Sequence, residues 1–152
     1  MEIREQVPLG PLTTLQVGGP ARYFAEAMTV EDVREAARFA EEHRLPLFVL
    51  GGGSNLLVAD KGWPGLVLKV GIPGIQHRHG VRATPRFDVG AGEEWDSFVE
   101  VTVKHGCSGI ECLSGIPGSV GGTPVQNVGA YGQEVSETID CVQAFDLVTR
   151  EE

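Results

Sequence analysis

The stretch VLGGGSNLLVAD, residues 49–60, sets three glycines and two small polar residues between two apolar runs. Successive backbone N–H groups without side chains can converge into a concave nest for an anion, because glycine permits positive φ and close approach. Ser54 and Asn55 would add side-chain donors to such a nest. A tight strand-to-strand connection is the other reading of GGGSN. The usual phosphate loops do not fit. A P-loop needs Lys and then Ser or Thr after its glycines, where this chain has Asn55 and Leu56. A dinucleotide fingerprint opens a helix, whereas this loop leads into LLVAD.

Working outward, RYFAEA (22–27) alternates like a strand and leads to Thr29, an N-cap followed by Glu31 and Asp32 at the positive end of a helix. Val33, Ala36, Ala37 and Ala40 recur at helical spacing, and Pro46 predicts that the helix ends near Arg44. LPLFVL (45–50), NLLVA (55–59) and GLVLKV (65–70) read as strands, which makes residues 1–70 a β-α-β-β lobe. Pro73, Gly74 and Gly80 mark a connection, so residues 71–152 form a second lobe beginning with the strand region VRATPRFDVGAG (81–92). Glu93 and Glu94 open a second helix with Trp95, Phe98, Val99, Thr102 and Val103 on one face and Gly106 as C-terminal cap. CVQAFDLVTR (141–150) has strand character, and its ending in TREE suggests a truncated chain.

The composition narrows the ligands. The 152 residues are 41% hydrophobic, enough for a real core, and the 21 glycines are about twice the usual share without any repeat to explain them. Twelve Lys and Arg against 21 Asp and Glu give a net charge of −9. That lacks the basic field expected of a nucleic-acid or membrane-surface binder, so an anionic ligand must be held locally. No signal-peptide or membrane-spanning run is present in these residues, and the expected location is cytoplasmic. Cys107, Cys112 and Cys141 form no metal pattern and read as buried free thiols; no metal site is expected. His43, His77, His79 and His105 read as solvated, Trp95 and Phe98 as core, and Glu111 as a structural hydrogen-bonding residue beside its loop.

A second glycine-rich region changes the weight of the first. GIPGSVGG (115–122) is followed by NVGAYG (127–132), so each lobe contributes bare backbone suited to an extended diphosphate ligand. Together, TTLQVGGPA (13–21), GGGSNLLV (51–58), VGAG (89–92), GIECLSGIPGSVGG (109–122) and PVQNVGAYG (124–132) resemble, in order and spacing, the UDP-N-acetylenolpyruvoylglucosamine reductase (UDP-N-acetylmuramate dehydrogenase) family. GGGSN alone would indicate only the wider vanillyl-alcohol-oxidase-like flavin domains.

The resemblance implies an α+β, two-lobed FAD-binding domain of the vanillyl-alcohol-oxidase-like (PCMH) type, with FAD between the lobes. It implies that Gly51, Gly52, Gly53, Ser54 and Asn55 hold the pyrophosphate. Gly115, Ile116, Pro117, Gly118, Ser119, Val120, Gly121 and Gly122 would line the flavin and pyrophosphate, and Asn127, Gly129, Ala130 and Tyr131 would complete the pocket. Some relatives in the superfamily attach flavin covalently through a histidine in the first loop; Ser54 and Asn55 here imply dissociable FAD. In the family, NADPH reduces FAD, which reduces the enolpyruvyl group of a UDP-sugar to give UDP-N-acetylmuramate for peptidoglycan. The assisting arginine of a GYR motif, serine and glutamate have no counterparts among these residues, since Tyr131 belongs to GAYG. The expectation is therefore an FAD-binding portion without the C-terminal substrate-binding domain, carrying no catalytic residue of its own and turning over the enolpyruvyl substrate inefficiently by itself; the alternatives are the FAD domain of another oxidoreductase of the same superfamily, or a stand-alone flavin- or nucleotide-binding module.

Overall fold

A computed structural model describes residues 1–79 and 85–152. Gly80 and residues 81–84 of the expected second strand region lie outside the described residues, as does the side chain of His79. The chain divides into two compact units, Met1–Ile72 with Gln143–Glu152, and Pro73–Val142.

In the first unit, β1 (Ile3–Pro8), β2 (Pro20–Ala27), β3 (Leu47–Leu50) and β4 (Trp63–Val70) form one sheet in the order β1-β2-β4-β3. β1 runs antiparallel to β2, while β2–β4 and β3–β4 are parallel. Helix α1 (Val30–Glu42) crosses between β2 and β3 and covers one sheet face. Ala25, Ala27, Leu66 and Leu68 meet Val33, Ala36 and Ala40 there. The opposite face carries Phe24 and Val67, packed with Leu9, Leu12, Leu50, Leu56 and Val58. β4 is therefore buried on both sides, which explains its unbroken apolar run Leu66–Leu68. A register shift between Ala21 and Tyr23 turns Ala21 onto the second face instead of the helix face that its parity with Tyr23 would give.

The start of α1 is written in its first turn. Thr29 accepts from the Asp32 backbone N–H, and the Asp32 carboxylate accepts from the Thr29 backbone, a reciprocal capping box. The hydroxyl and backbone donors of Thr29 and Met28 hold the Asp32 carboxyl below its ordinary pKa, the Thr29 hydroxyl being the largest cause.

The second unit is built on an antiparallel hairpin of β5 (Ile75–His79) and β6 (Pro85–Val89), helix α2 (Trp95–Lys104), and a small hairpin of β7 (Gly129–Ala130) and β8 (Gln133–Glu134). Its core gathers Trp95 and Val99 of α2 with Ile110, Leu113, Val128 and Val135. The Trp95 indole N–H is satisfied inside that core by the Leu113 carbonyl at 2.9 Å.

Several expectations change. NLLVA is not a strand: Leu56 and Val58 do turn inward and Leu57 outward (72% exposed), but the segment lies on a sheet face without a strand partner. Residues 141–150 form no strand either, because the Asp146 carboxylate accepts from the Val148 and Thr149 N–H groups and closes a turn. From Gln143 onward this segment packs with the first unit instead of the second, through Phe145 against the helix-side core and an Arg34–Glu152 ion pair at 2.8 Å. Val103 sits on the outer side of α2, 50% exposed. The cysteines are unpaired, yet Cys112 and Cys141 are exposed and Cys107 half-buried.

Thr29→Ala removes the hydroxyl acceptor of the capping box. It should lower unfolding stability by about 1 kcal/mol in a denaturant titration, while Thr29→Ser should retain most of it.

Candidate functional site: two glycine-rich backbone segments

The first segment follows β3 directly, so Gly51 starts where strand pairing with β4 ends. Gly53 adopts φ +70. A β-carbon on it would run into the carbonyl oxygen of Leu12, and its own carbonyl accepts from the Thr14 N–H at 3.0 Å. Gly53 is thus bare because residues 12–14 lie against its Cα, a packing reason that motif reading alone does not supply. Gly52 is exposed, and Gly51 and Ser54 are half-buried. Among the described residues, the backbone N–H groups of Gly51, Gly52, Gly53 and Ser54 donate to no group of the chain. Four consecutive donors without a partner, one on an exposed glycine, form the kind of surface that an anion satisfies.

The second segment is constructed differently. Most of its backbone is already engaged within its own unit. The Gly115 N–H donates to Asp96 Oδ1 at 2.7 Å, Ile116 to the Leu113 carbonyl, and Val120 to the Glu93 carbonyl at 2.9 Å. Gly121 donates to Ala91, and Gly122 to Ser119. The Gly118 carbonyl accepts from the Trp95 N–H at 3.1 Å, one of the donors exposed by the start of α2. Gly121 is bare for contact, since a β-carbon there would lie 2.6 Å from the Ala91 methyl. Among the described residues of 115–122, the N–H groups of Gly118 and Ser119 remain unengaged, with Ser119 buried and Pro117 exposed.

Asp96 fixes the start of this segment. Its carboxylate accepts from the Ser114 hydroxyl at 2.6 Å and from the Gly115 N–H. These two donors, the hydroxyl first, hold the Asp96 carboxyl below its ordinary range. Glu111 is depressed similarly, chiefly by its own backbone N–H and that of Gly109.

NVGAYG forms the β7–β8 hairpin. Tyr131 (φ 52) and Gly132 (φ 83) occupy its two-residue turn, both with the positive φ that a tight hairpin demands. Asn127, also at positive φ, uses both ends of its side chain as a brace: Nδ2 donates to Glu134 at 2.8 Å and Oδ1 accepts from the Ser136 N–H at 3.2 Å. Gly129 is exposed, Ala130 half-buried and Tyr131 93% exposed. Asn127, Gly129, Ala130, Gln133, Glu134 and Glu137 line a shallow cleft beside the hairpin.

The remaining candidates acquire local roles. His43 and His105 each place Nδ1 at 2.8–2.9 Å from the carbonyl four residues earlier, at the C-terminal ends of α1 and α2. The rings of His77 and His105 lie 4.9 Å apart, beside Phe87, so the histidines are less solitary than the sequence suggests. Among the described residues, no group of three or more metal-ligating side chains comes together. Sequence reasoning missed Asp96 and the Gly10–Thr14 turn. Gly10 and Pro11 contained the signal for the turn, but nothing local links it to a loop forty residues away.

The first segment presents a run of unengaged backbone donors on a mixed α+β scaffold. The chain belongs to the FAD binding domain family, whose model matches residues 21–152. It is 49% identical over 144 residues to the UDP-N-acetylenolpyruvoylglucosamine reductase of Streptomyces avermitilis, covering 95% of this chain and 38% of that protein. It is 48% identical over 150 residues to the reductase of Nocardia farcinica, covering 98% and 37%. Among solved structures it resembles the crystal structure of UDP-N-acetylenolpyruvylglucosamine reductase (MurB) from Thermus caldophilus, with TM-score 0.68 and 34% identity over 89% of this chain and 46% of that one. The fold class is thus the α+β, PCMH-type FAD-binding domain. The chain spans about two fifths of the length of the curated relatives it matches.

Because the folded Asp96 pKa is depressed, its bonds to Ser114 and Gly115 contribute stability above the ordinary carboxylate pKa and lose it as pH falls through the lower folded value. The Gly115 amide resonance should therefore move on acidification below about pH 4. In Asp96→Asn that titration should vanish.

Proposed function

We propose that this chain binds FAD non-covalently and forms the FAD-binding portion of a UDP-N-acetylenolpyruvoylglucosamine reductase. The observation that carries the reading is the run of unengaged N–H donors from Gly51 to Ser54, held open on one side by the packing of Gly53 against Leu12. Those donors suit a pyrophosphate, and a backbone nest needs no lysine cluster, which agrees with a chain of net charge −9. Charge-assisted hydrogen bonds contribute about 1.5–3 kcal/mol each, so a few suffice for useful affinity. The Ser54 hydroxyl and Asn55 side chain add polar contacts, and neither residue offers the histidine nitrogen that covalent attachment in this loop would use.

In the second unit, Gly115–Gly122 line the flavin, with Gly118 and Ser119 supplying the N–H groups their own unit leaves unused. Within the second unit, Asn127, Gly129, Ala130 and Tyr131 of the hairpin offer further contacts to FAD. Bound FAD supplies hydride transfer from NADPH to the enolpyruvyl group of the UDP-sugar, giving UDP-N-acetylmuramate for peptidoglycan synthesis. The residues of this chain bind and orient. The assisting arginine, serine and glutamate that the family resemblance calls for have no counterparts among these residues, which turn over the enolpyruvyl substrate poorly by themselves. No helix among the described residues is long and apolar enough to cross a membrane, and we place the protein in the cytoplasm with its UDP-sugar substrate.

The test is a visible absorption spectrum of the purified chain before and after adding FAD, with released ligand weighed by mass spectrometry. A flavin spectrum perturbed by the protein and an FAD mass support the proposal; folded protein that leaves the spectrum of added FAD unchanged overturns it. Gly52→Val should weaken FAD binding about 10- to 100-fold, the equivalent of one charge-assisted hydrogen bond, with little change in melting temperature. Gly53→Val should instead unfold the first unit, since its side chain would meet Leu12.

A further inference from the structure

We propose that Thr13, a residue outside the loop itself, is a positioning residue for the anion nest; the inference rests on the FAD-binding reading of that nest. Residues 10–12 form one turn of 3-10 helix, closed by hydrogen bonds from the Leu12 N–H to the Leu9 carbonyl and from the Thr13 N–H to the Gly10 carbonyl at 3.0 Å. Thr13 is 6% exposed, and its hydroxyl donates to the same Gly10 carbonyl at 3.1 Å. The Thr13 carbonyl accepts from the Gln16 N–H at 3.1 Å, so both sides of this residue are fastened.

What this strap holds is the loop. The next residue, Thr14, sends its N–H to the Gly53 carbonyl, and the Leu12 carbonyl rests against the Gly53 Cα. A peptide group is rigid, so anchoring the Gly53 carbonyl from the strap side fixes the plane of the Gly53–Ser54 peptide. With that plane fixed, the Ser54 N–H, on the opposite edge of the same peptide, points away from the strap. Gly53 at φ +70 then sets the direction of the preceding N–H groups. The hydroxyl of Thr13 spends its hydrogen bond on the Gly10 carbonyl and not on the nest. It acts by keeping Thr14 in register with Gly53, which makes its role one of orientation and not of ligand contact.

Thr13→Val keeps the shape and removes the donor; Thr13→Ser keeps the donor. Thr14→Pro deletes the N–H that reaches Gly53, and the extended backbone of Thr13 (φ −125, ψ 150) suits a following proline. The experiment follows the amide resonances of Gly51–Ser54 while FAD is titrated into each protein, with melting temperature recorded in parallel. The expected result is a roughly five- to tenfold weaker FAD affinity in Thr13→Val and Thr14→Pro, on the scale of one neutral hydrogen bond. The loop amides should be displaced before ligand is added, α1 amides unmoved, and affinity restored in Thr13→Ser. Equal affinity and unshifted loop amides in Thr13→Val overturn the positioning role while leaving the nest intact. Loop amides that ignore FAD in the unaltered protein overturn the nest itself, and the role with it. If Thr13→Val does not fold, Thr13→Ala, which also removes the donor, decides the same question, while Thr14→Pro, whose side chain is exposed, tests the link from the strap to Gly53.

Discussion

The first unit depends on main chain lying directly on main chain. The Leu12 carbonyl occupies the space a side chain on Gly53 would need, and the carbonyls of Asp60 and Pro46 do the same at Gly19 and Gly65. Such contacts are open only to glycine; they join the Gly10–Thr14 turn to the loop after β3, the residues before β2 to those before β4, and the start of β4 to the residues before β3. The apolar cluster of Leu9, Leu12, Phe24, Leu50 and Val67 closes on one face of the sheet. Burial supplies the driving force, but the crossings determine which loop atoms remain facing outward.

This separates two uses of glycine that look alike in a sequence. GGGSN and GIPGSVGG are similarly bare, yet the first leaves four successive N–H groups unengaged while the second donates most of its own to Asp96, Leu113, Glu93, Ala91 and Ser119. A segment whose donors are already satisfied has less to offer an anion and more to offer as a fixed wall. Within GGGSN the division recurs at single-residue scale: Gly53 is consumed by packing and Gly52 is exposed.

Much of the first unit was legible because its rules are local. Thr29, Asp32 and the spacing of Val33, Ala36, Ala37 and Ala40 specify α1 without reference to the rest of the chain. β1 was not, since IREQVP is a mostly exposed edge strand with few apolar residues to show a period. NLLVA showed a true in-and-out alternation and still was not a strand, because alternation records which side chains are buried and says nothing of whether a neighbour offers hydrogen bonds. The candidate loop itself was visible from its glycines; the engagement of each N–H was not. Asn127 illustrates the difference, for its amide has the chemistry of a ligand donor and is bonded at both ends to Glu134 and Ser136.

An anion held by backbone has a consequence for how such a site tolerates change. A lysine-based site can lose precision and still attract phosphate, because a charge acts over several ångströms. A nest of N–H dipoles works only when the groups converge, so its affinity is a property of peptide orientation and hence of whatever fixes that orientation. In this chain the fixing atoms lie about forty residues upstream, where the buried hydroxyl of Thr13 secures the turn that delivers Thr14 to Gly53. The loop residues Gly51–Asn55 include no lysine or arginine in a chain of net charge −9, so the loop brings no cation of its own. Changes in Gly10–Thr14 would then loosen the hold on the ligand through peptide orientation alone, by less than a change in the loop itself.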